Sequence, residues 1–415
     1  MSSFRLLTGM KDILPAEVSL WQRVERVARD YFHRYFYQEI RTPIMEPTSL
    51  FARGIGENTG VVQKEMYTFM DKGNESVTLR PEGTASVVRS FLEHHLSKED
   101  PIAKLYYMGP MFRYERPQKG RFRQFHQLGV ELLGTSSALA DAEVITMLDG
   151  LVRALGISSF TLQINSLGCG VCRQPFEEKL VNFLNAKKEN LCVECQGRIE
   201  RNPLRVFDCK KESCRSLLVD APLLIDHLCE GCKTHFDLVE GGLKGAKVPY
   251  EVNPRIARGL DYYQRTAFEL VSSGLGAQNS FAGGGRYDGL VQELGGPATP
   301  GVGFAIGLER LILLMPQIKE VEGKKLYLAF ADGVGHCKAI ALVHELRQAG
   351  VVCEMDYEAR SLKSQMRRAD KLGVTHVVIL GEQEVQKGSV QLKTFATKEQ
   401  VEVSFENLGG FLKES

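Results

Sequence analysis

The chain has 415 residues, too many for one ordinary domain, and its 43% hydrophobic and 25% charged residues are the balance of a globular protein. A net charge of +1 excludes whole-molecule attraction to nucleic acid, so any RNA binding would need local basic patches. No stretch reaches the roughly 18 apolar residues of a membrane span. The N-terminal Met1–Arg5 lacks the basic-then-apolar layout of a signal peptide, which points to the cytosol.

In chain order, residues 18–37 place Leu20, Val24, Val27, Ala28, Tyr31 and Phe32 at helical spacing, an amphipathic helix. The segment RTPIMEPTSLF (41–51) mixes β-branched residues with two prolines and reads as a strand at an edge or interface. Strand-like runs follow at 76–79, 104–108 and 127–133. This succession predicts an α+β fold, an antiparallel sheet with flanking helices. Between about 165 and 248 the texture changes: eight of the ten cysteines fall between Cys169 and Cys232, and helical pieces such as 174–184 alternate with loops. It reads as an inserted helical domain. Sheet character returns at 255–271 and 280–285, and a helix is expected from Gly303 to Leu314. The polar PQIKEVEGKK (316–325) has linker composition. Beyond it, strands at 326–330, 351–355 and 374–380 alternate with helices at 339–348 and 361–372, the βαβ pattern of a separate C-terminal α/β domain with a parallel or mixed sheet. The expected organisation is therefore 1–320, interrupted by the insertion, and 326–415.

Chemistry concentrates in GPMFRYERPQKGRFRQFHQLGVE (109–131), where five basic residues and one acid lie between Arg113 and Arg123 among alternating aromatics. A hairpin here would raise Arg113 on one arm and Gln127 and Glu131 on the other, with RPQKGR at the tip. Guanidinium forks suit phosphate because they bind oxygens in pairs. RGLDYYQRTAFEL (258–270) joins Arg258 to Tyr262 and Tyr263 on an expected strand. AGGGRYDGL (282–290) sets three glycines before Arg286 and Tyr287, and GVGFAIGLERL (301–311) carries glycines towards a helix holding Arg310. Neither a phosphate loop ending in Gly-Lys-Ser/Thr nor a G-x-G-x-x-G after a strand is present, so a nucleotide would be held another way.

Segments 41–51, 109–131 and 301–311 resemble the three signature motifs of class II aminoacyl-tRNA synthetases. RGLDYY and AGGGRYDGL resemble the two motifs peculiar to the histidyl-tRNA synthetase family, LRPEGTA (79–85) its amino-acid-binding loop, and residues 361–382 its anticodon-binding domain. Gln264 is a small departure, where the family more often has asparagine.

The resemblance implies ATP-dependent activation of L-histidine and its transfer to the 3′ end of tRNA(His). It gives Arg113 the α-phosphate and the histidine carboxylate, Arg258 the transition state and Arg310 the outer phosphates. Magnesium would accompany ATP, with Glu115 an indirect contributor. Glu131, Tyr262 and Tyr263, with Tyr287 nearby, would recognise the imidazole, and Glu82, Gly83, Thr84 and Gln127 would surround the α-amino group. Gln127 also stands among the catalytic residues. Arg116, Gln118 and Lys119 would approach the tRNA acceptor end. In the C-terminal basic stretch Arg367 and Arg368, with Arg360, Lys363 and Lys371, would meet the anticodon stem, while Leu362, Met366 and Leu372 turn towards a core. A homodimer is implied too. The rival reading is a catalytically silent histidine-binding regulator of ATP phosphoribosyltransferase, a paralogue that lacks the anticodon-binding domain.

The cysteines are read from spacing. Cys169, Cys172, Cys192 and Cys195 form C-x2-C, nineteen residues, C-x2-C, as in structural zinc sites, and Cys209, Cys214, Cys229 and Cys232 would make a second. Reduced buried thiols are the alternative. Members of the family often lack several of them, so the resemblance gives them no part in catalysis.

Overall fold

The computed structural model describes residues 4–56, 59–276, 279–316, 324–331, 336–358 and 360–414. The chain divides into two units, Met1–Pro316 and Gln317–Ser415. Most of the expected linker lies outside the described residues.

In the first unit, the period-two pattern of Gln124–Leu133 sends Leu128, Val130 and Leu132 to one face of a sheet, where they are buried in the main core. Gln127, Gly129 and Glu131 therefore take the opposite face. This strand is one of eight, in the spatial order Gln38–Glu39, Ala103–Phe112, Gln124–Leu133, Gly301–Gly307, Ser280–Arg286, Gln264–Val271, Thr161–Ser166 and Glu251–Val252. The inner pairs are antiparallel, and the two short edge strands pair parallel with their neighbours. The expected antiparallel sheet with flanking helices is thus present. A second, three-stranded sheet joins Met45–Pro47, Ser76–Leu79 and Tyr67–Met70.

Several expected elements shift. The first helix is Pro15–His33, and its buried stripe is Trp21, Val24, Ala28 and Phe32, with Trp21 in the place given to Leu20. In 41–51 only Met45–Pro47 is strand, and Thr48–Ile55 is helix. Residues 255–263 form turns, so Arg258, Tyr262 and Tyr263 precede the strand Gln264–Val271 and do not lie on it. The helix expected from Gly303 begins at Leu308, because Gly301–Gly307 is needed to pair with both Gln124–Leu133 and Ser280–Arg286. Glycine is required there: a Cβ at Gly303 would lie 2.2 Å from a Glu131 carboxylate oxygen.

The C-terminal unit has a mixed five-stranded sheet in the order Val352–Met355, Lys325–Phe330, His376–Leu380, Ser389–Thr394 and Gln400–Ser404. The first three run parallel, as expected, and the last two add an antiparallel hairpin that was not foreseen. Helix Leu362–Lys371 buries Gln365 and Ala369 and packs Met366 against the core as expected, while Leu362 and Leu372 are exposed, contrary to expectation. The physical reason is a polar anchor: the Gln365 amide donates to the Phe330 carbonyl at 2.8 Å and accepts from its N–H at 3.0 Å. No described helix is long and apolar enough to cross a membrane.

Candidate active site

Where the strand Gln124–Leu133 turns its odd-numbered residues away from the core, a cavity of about 760 Å³ opens, a volume ordinary for a small-molecule site. Glu82, Thr84, Arg113, Glu115, Gln127, Arg258, Tyr262, Tyr263 and Arg310 all line it. Positions scattered over more than 200 residues therefore share one space.

Register explains much of the convergence. Gln127 pairs with Gly109 and Gly307, and Glu131 with Leu105 and Gly303, so one ladder fixes both side chains. Glu131 and Tyr287 stand behind the lining, fully buried. Tyr287 donates to one Glu131 oxygen, and the Thr84 hydroxyl donates to the other at 2.7 Å. Burial pushes the Glu131 carboxyl up to about 8, although those hydrogen bonds pull it down. Thr84 is thus the link between Glu131 and the cavity. Glu82 has a second task, accepting from the N–H groups of Thr84 and Ala85 at 2.7 and 2.9 Å, where it caps helix Thr84–Glu93. Gly83 sits against the Tyr107 ring, where a Cβ would be 2.2 Å from it. Gln127 carries a buried side-chain oxygen with no hydrogen-bond partner among the described residues.

The arginines are held individually. Arg113 donates to the Pro81 carbonyl at 2.8 Å and lies over the Phe125 ring. Arg258 donates to Glu269 at 2.6 Å and lies over the Tyr263 ring. Burial works against its charge, but Tyr263 and Glu269 outweigh burial and hold its pKa above the ordinary arginine value. The Arg310 guanidinium is pushed down, first by burial and then by Arg121. Glu115 pairs with Arg121 at 2.9 Å. The cavity can therefore receive a polyanion on three fixed cations, beside a pocket of tyrosines and carboxyls.

Other expected site residues lie apart from the cavity lining. Arg116, Gln118 and Lys119 are exposed at the hairpin tip, which closes on reciprocal backbone bonds between Gln118 and Arg121. In the C-terminal unit Arg367 is exposed, Arg368 is half-buried, and Arg360 is engaged by Asp356 at 2.9 Å.

Sequence reasoning missed Glu269, Tyr107 and Arg121. It also missed a whole wall, since Arg198, Arg205, Lys210 and Lys211 of the insertion line the same cavity. Glycines at 83 and 129 were a usable sign of Tyr107, which fills the space both leave. Arg286, prominent after its glycine run, is fully buried and bonds Asp141 in fork geometry, together with His235 and Thr266. That makes it a structural joint. The cysteines also regroup: Cys169, Cys172, Cys229 and Cys232 form one cluster, and Cys192, Cys195, Cys209 and Cys214 the other. The grouping by order in the sequence is therefore corrected, because the insertion folds back and brings its two ends together.

The model of the family described as Histidyl-tRNA synthetase matches residues 9–174 and 213–311, and one described as Anticodon binding domain matches 334–415. Histidine–tRNA ligases of Geobacter metallireducens and Geobacter sulfurreducens are each 51% identical over 96% of this chain and 97% of their own. The crystal structure of apo S. aureus histidyl-tRNA synthetase superposes with a TM-score of 0.84 at 36% identity, covering 99% of this chain and 100% of that one.

Proposed function

The chain belongs to the histidyl-tRNA synthetase family, and on that premise we propose how this cavity activates L-histidine with ATP and passes it to tRNA(His). The carrying observation is the convergence of Arg113, Arg258 and Arg310 on one cavity that also holds Glu82, Thr84 and Gln127.

In the first step a histidine carboxylate oxygen attacks the α-phosphorus of ATP. The bond to the bridging oxygen breaks, and diphosphate leaves with the electron pair. Such a transfer depends on positioning and on stabilising charge. Arg113, restrained by Pro81 and Phe125, holds the α-phosphate and the carboxylate together. Arg258, restrained by Glu269 and Tyr263, meets the charge that builds on the phosphorus oxygens. Arg310 grips the outer phosphates. Magnesium would accompany ATP and neutralise phosphate charge, with Glu115, which lines the cavity beside Arg113 and Arg121, an indirect contributor. In the second step a terminal ribose hydroxyl of tRNA attacks the histidyl carbonyl, and AMP leaves.

Specificity is assigned to Glu131, Tyr262 and Tyr263 with Tyr287: the two lining tyrosines offer the imidazole hydrogen bonds that other side chains would leave unmade, and Glu131, bonded to Thr84 and Tyr287, orients the pocket from behind. Glu82, Gly83, Thr84 and Gln127 receive the α-amino group, for which the unpaired Gln127 oxygen is a ready acceptor. Arg116, Gln118 and Lys119 take the acceptor end, and Arg367 and Arg368 the anticodon stem. Exposed Met45 and Phe69, which share one face of the small sheet, support a homodimer through that face. The cytoplasm is the proposed compartment, and structural zinc on the insertion cysteines is proposed as a support outside the chemistry. The histidine-binding regulator of ATP phosphoribosyltransferase has less support, since all three arginines and the C-terminal unit are present.

Pyrophosphate exchange without tRNA, run with each of the twenty amino acids, tests the reading. Exchange with histidine alone is expected. Folded protein that binds histidine without exchange would overturn it.

A further inference from the structure

The eight insertion cysteines are paired by the fold and not by their order. Four sulfurs come from the C-x2-C pairs that open helices Gly170–Asn185 and Glu230–Gly245, at the entry and exit of the insertion. Their separations are 3.8 Å for Cys169–Cys172, Cys169–Cys229 and Cys172–Cys232. A disulfide needs about 2.05 Å, whereas a tetrahedron of Zn–S bonds of about 2.3 Å has sulfur–sulfur edges of about 3.8 Å. The second group, Cys192, Cys195, Cys209 and Cys214, is as compact, with all four sulfurs within 4.8 Å of one another. Backbone N–H groups aim at sulfur in both, Cys169 N–H at Cys172 Sγ (3.1 Å) and Cys192 N–H at Cys214 Sγ (3.3 Å), as suits thiolate ligands.

The inner group also borders the active-site cavity. Cys192 and Cys209 line it, together with Arg198 and Arg205 from the segment between them. That segment is tied across to the histidine-side loop by Asn202, which donates to Asp261 at 2.8 Å, and is braced internally by Arg198 donating to the Arg205 carbonyl at 2.7 Å. Its helices are short, Val193–Arg201 and Pro203–Asp208, so little backbone ladder holds them.

Resting on the assignment of these cysteines to zinc, we propose that the insertion holds two zinc ions in nested tetrathiolate sites. The outer one clasps its two ends, and the inner one fixes the cavity wall that carries Arg198 and Arg205. Each ion displaces four thiol protons to solvent, so loading weakens as pH falls. The inner ion positions the wall and takes no part in the reaction.

Native mass spectrometry of the full chain under reducing conditions should find two zinc ions. Cys169→Ser/Cys229→Ser removes two ligands from the outer site and should leave one tightly held zinc. Cys172→Ser/Cys195→Ser takes one ligand from each site and should weaken both. Cobalt(II) titration of the wild-type apoprotein does not depend on how the variants fold, and should give two equivalents with thiolate-to-cobalt charge-transfer absorption. Fewer than two ions in the wild type overturns the zinc assignment itself. Two ions in the wild type, with the patterns of the two variants exchanged, overturns only the nesting. Cys195→Ser/Cys214→Ser, which spares the lining cysteines, should lose one zinc and raise the KM for ATP by about three- to tenfold, with a smaller fall in kcat. An unchanged KM in a chain that has lost that ion overturns the role of the wall.

Discussion

On the sheet side of the cavity, Gln127 and Glu131 hold their places because a ten-residue strand is paired along both edges. On the insertion side, Arg198 and Arg205 stand on helices of nine and six residues, packed over a small core that sets Cys195, Cys209 and Cys214 among leucines, Phe176 and Ile199. The sheet gains precision from register, where one residue of slip would turn every side chain to the wrong face. The insertion would gain it from the proposed zinc cross-links between short segments. Two kinds of rigidity meet over one substrate, and they should fail differently.

The largest expected effect is on the sheet side. Arg258→Ala should lower the rate of histidyl-adenylate formation by about a hundred- to a thousandfold, the scale for losing a positioned charge donor, with an unchanged thermal unfolding profile. Near-normal single-turnover activation would remove Arg258 from the chemistry. A subtler variant asks whether position alone matters. A Cβ at Gly283 would lie 2.5 Å from an Arg258 guanidinium nitrogen, so Gly283→Ala should displace that group from Glu269. A fall in kcat of about tenfold is expected, smaller than for deletion of the charge. A rate equal to wild type would show that the Arg258 site tolerates movement.

How much of this was legible follows the same division. Arg113, Gln127 and Glu131 could be placed on their hairpin from alternation alone, because strand parity is a local property. The turn at 255–263 was misread, since Tyr262 and Tyr263 have the composition of a strand, and only tertiary packing decides that they bend into the cavity. Gly303–Gly307 looked like the start of a helix, because its glycines answer to neighbours such as Glu131 that spacing cannot show. Leu362 and Leu372 misled for a related reason, as the helix packs through Met366 and Ala369 and is anchored by the Gln365 hydrogen bonds to Phe330. The cysteine spacing showed that the thiols cluster but not how they divide, which depends on where the chain doubles back.

Glu131 offers a test through pH. Burial favours its protonated form up to about pH 8, against an ordinary value of 4.5. Folding therefore takes up a proton between those limits, and stability should fall as pH rises from about 4.5 to about 8, then level off. Glu131→Gln should lose that decline, as measured by thermal denaturation across the window. Parallel curves for the two proteins would mean that the carboxyl is already ionised in the folded chain.

The smallest effect is expected in the C-terminal unit. Replacing Arg367 and Arg368 by alanine should weaken tRNA binding and reduce the slope of log affinity against log salt by about one to two, since each phosphate contact contributes roughly 0.7–0.9. The exposed Arg367 should account for more of it than the half-buried Arg368. An unaltered slope would place the contact elsewhere.

The insertion leaves the main sheet after Thr161–Ser166 and returns at Glu251–Val252, which pairs directly with that same strand. Glu251 stands beside Gln163, three residues before the end of that strand, so the two ends of the detour lie roughly 11 Å apart. A detour between points so close needs little chain to close. Doubling its length adds only about 0.6 kcal/mol of closure entropy. In this chain the detour carries eight cysteines, leans over the cavity, and sends Phe236, Val239 and Leu243 into the same core that the sheet buries.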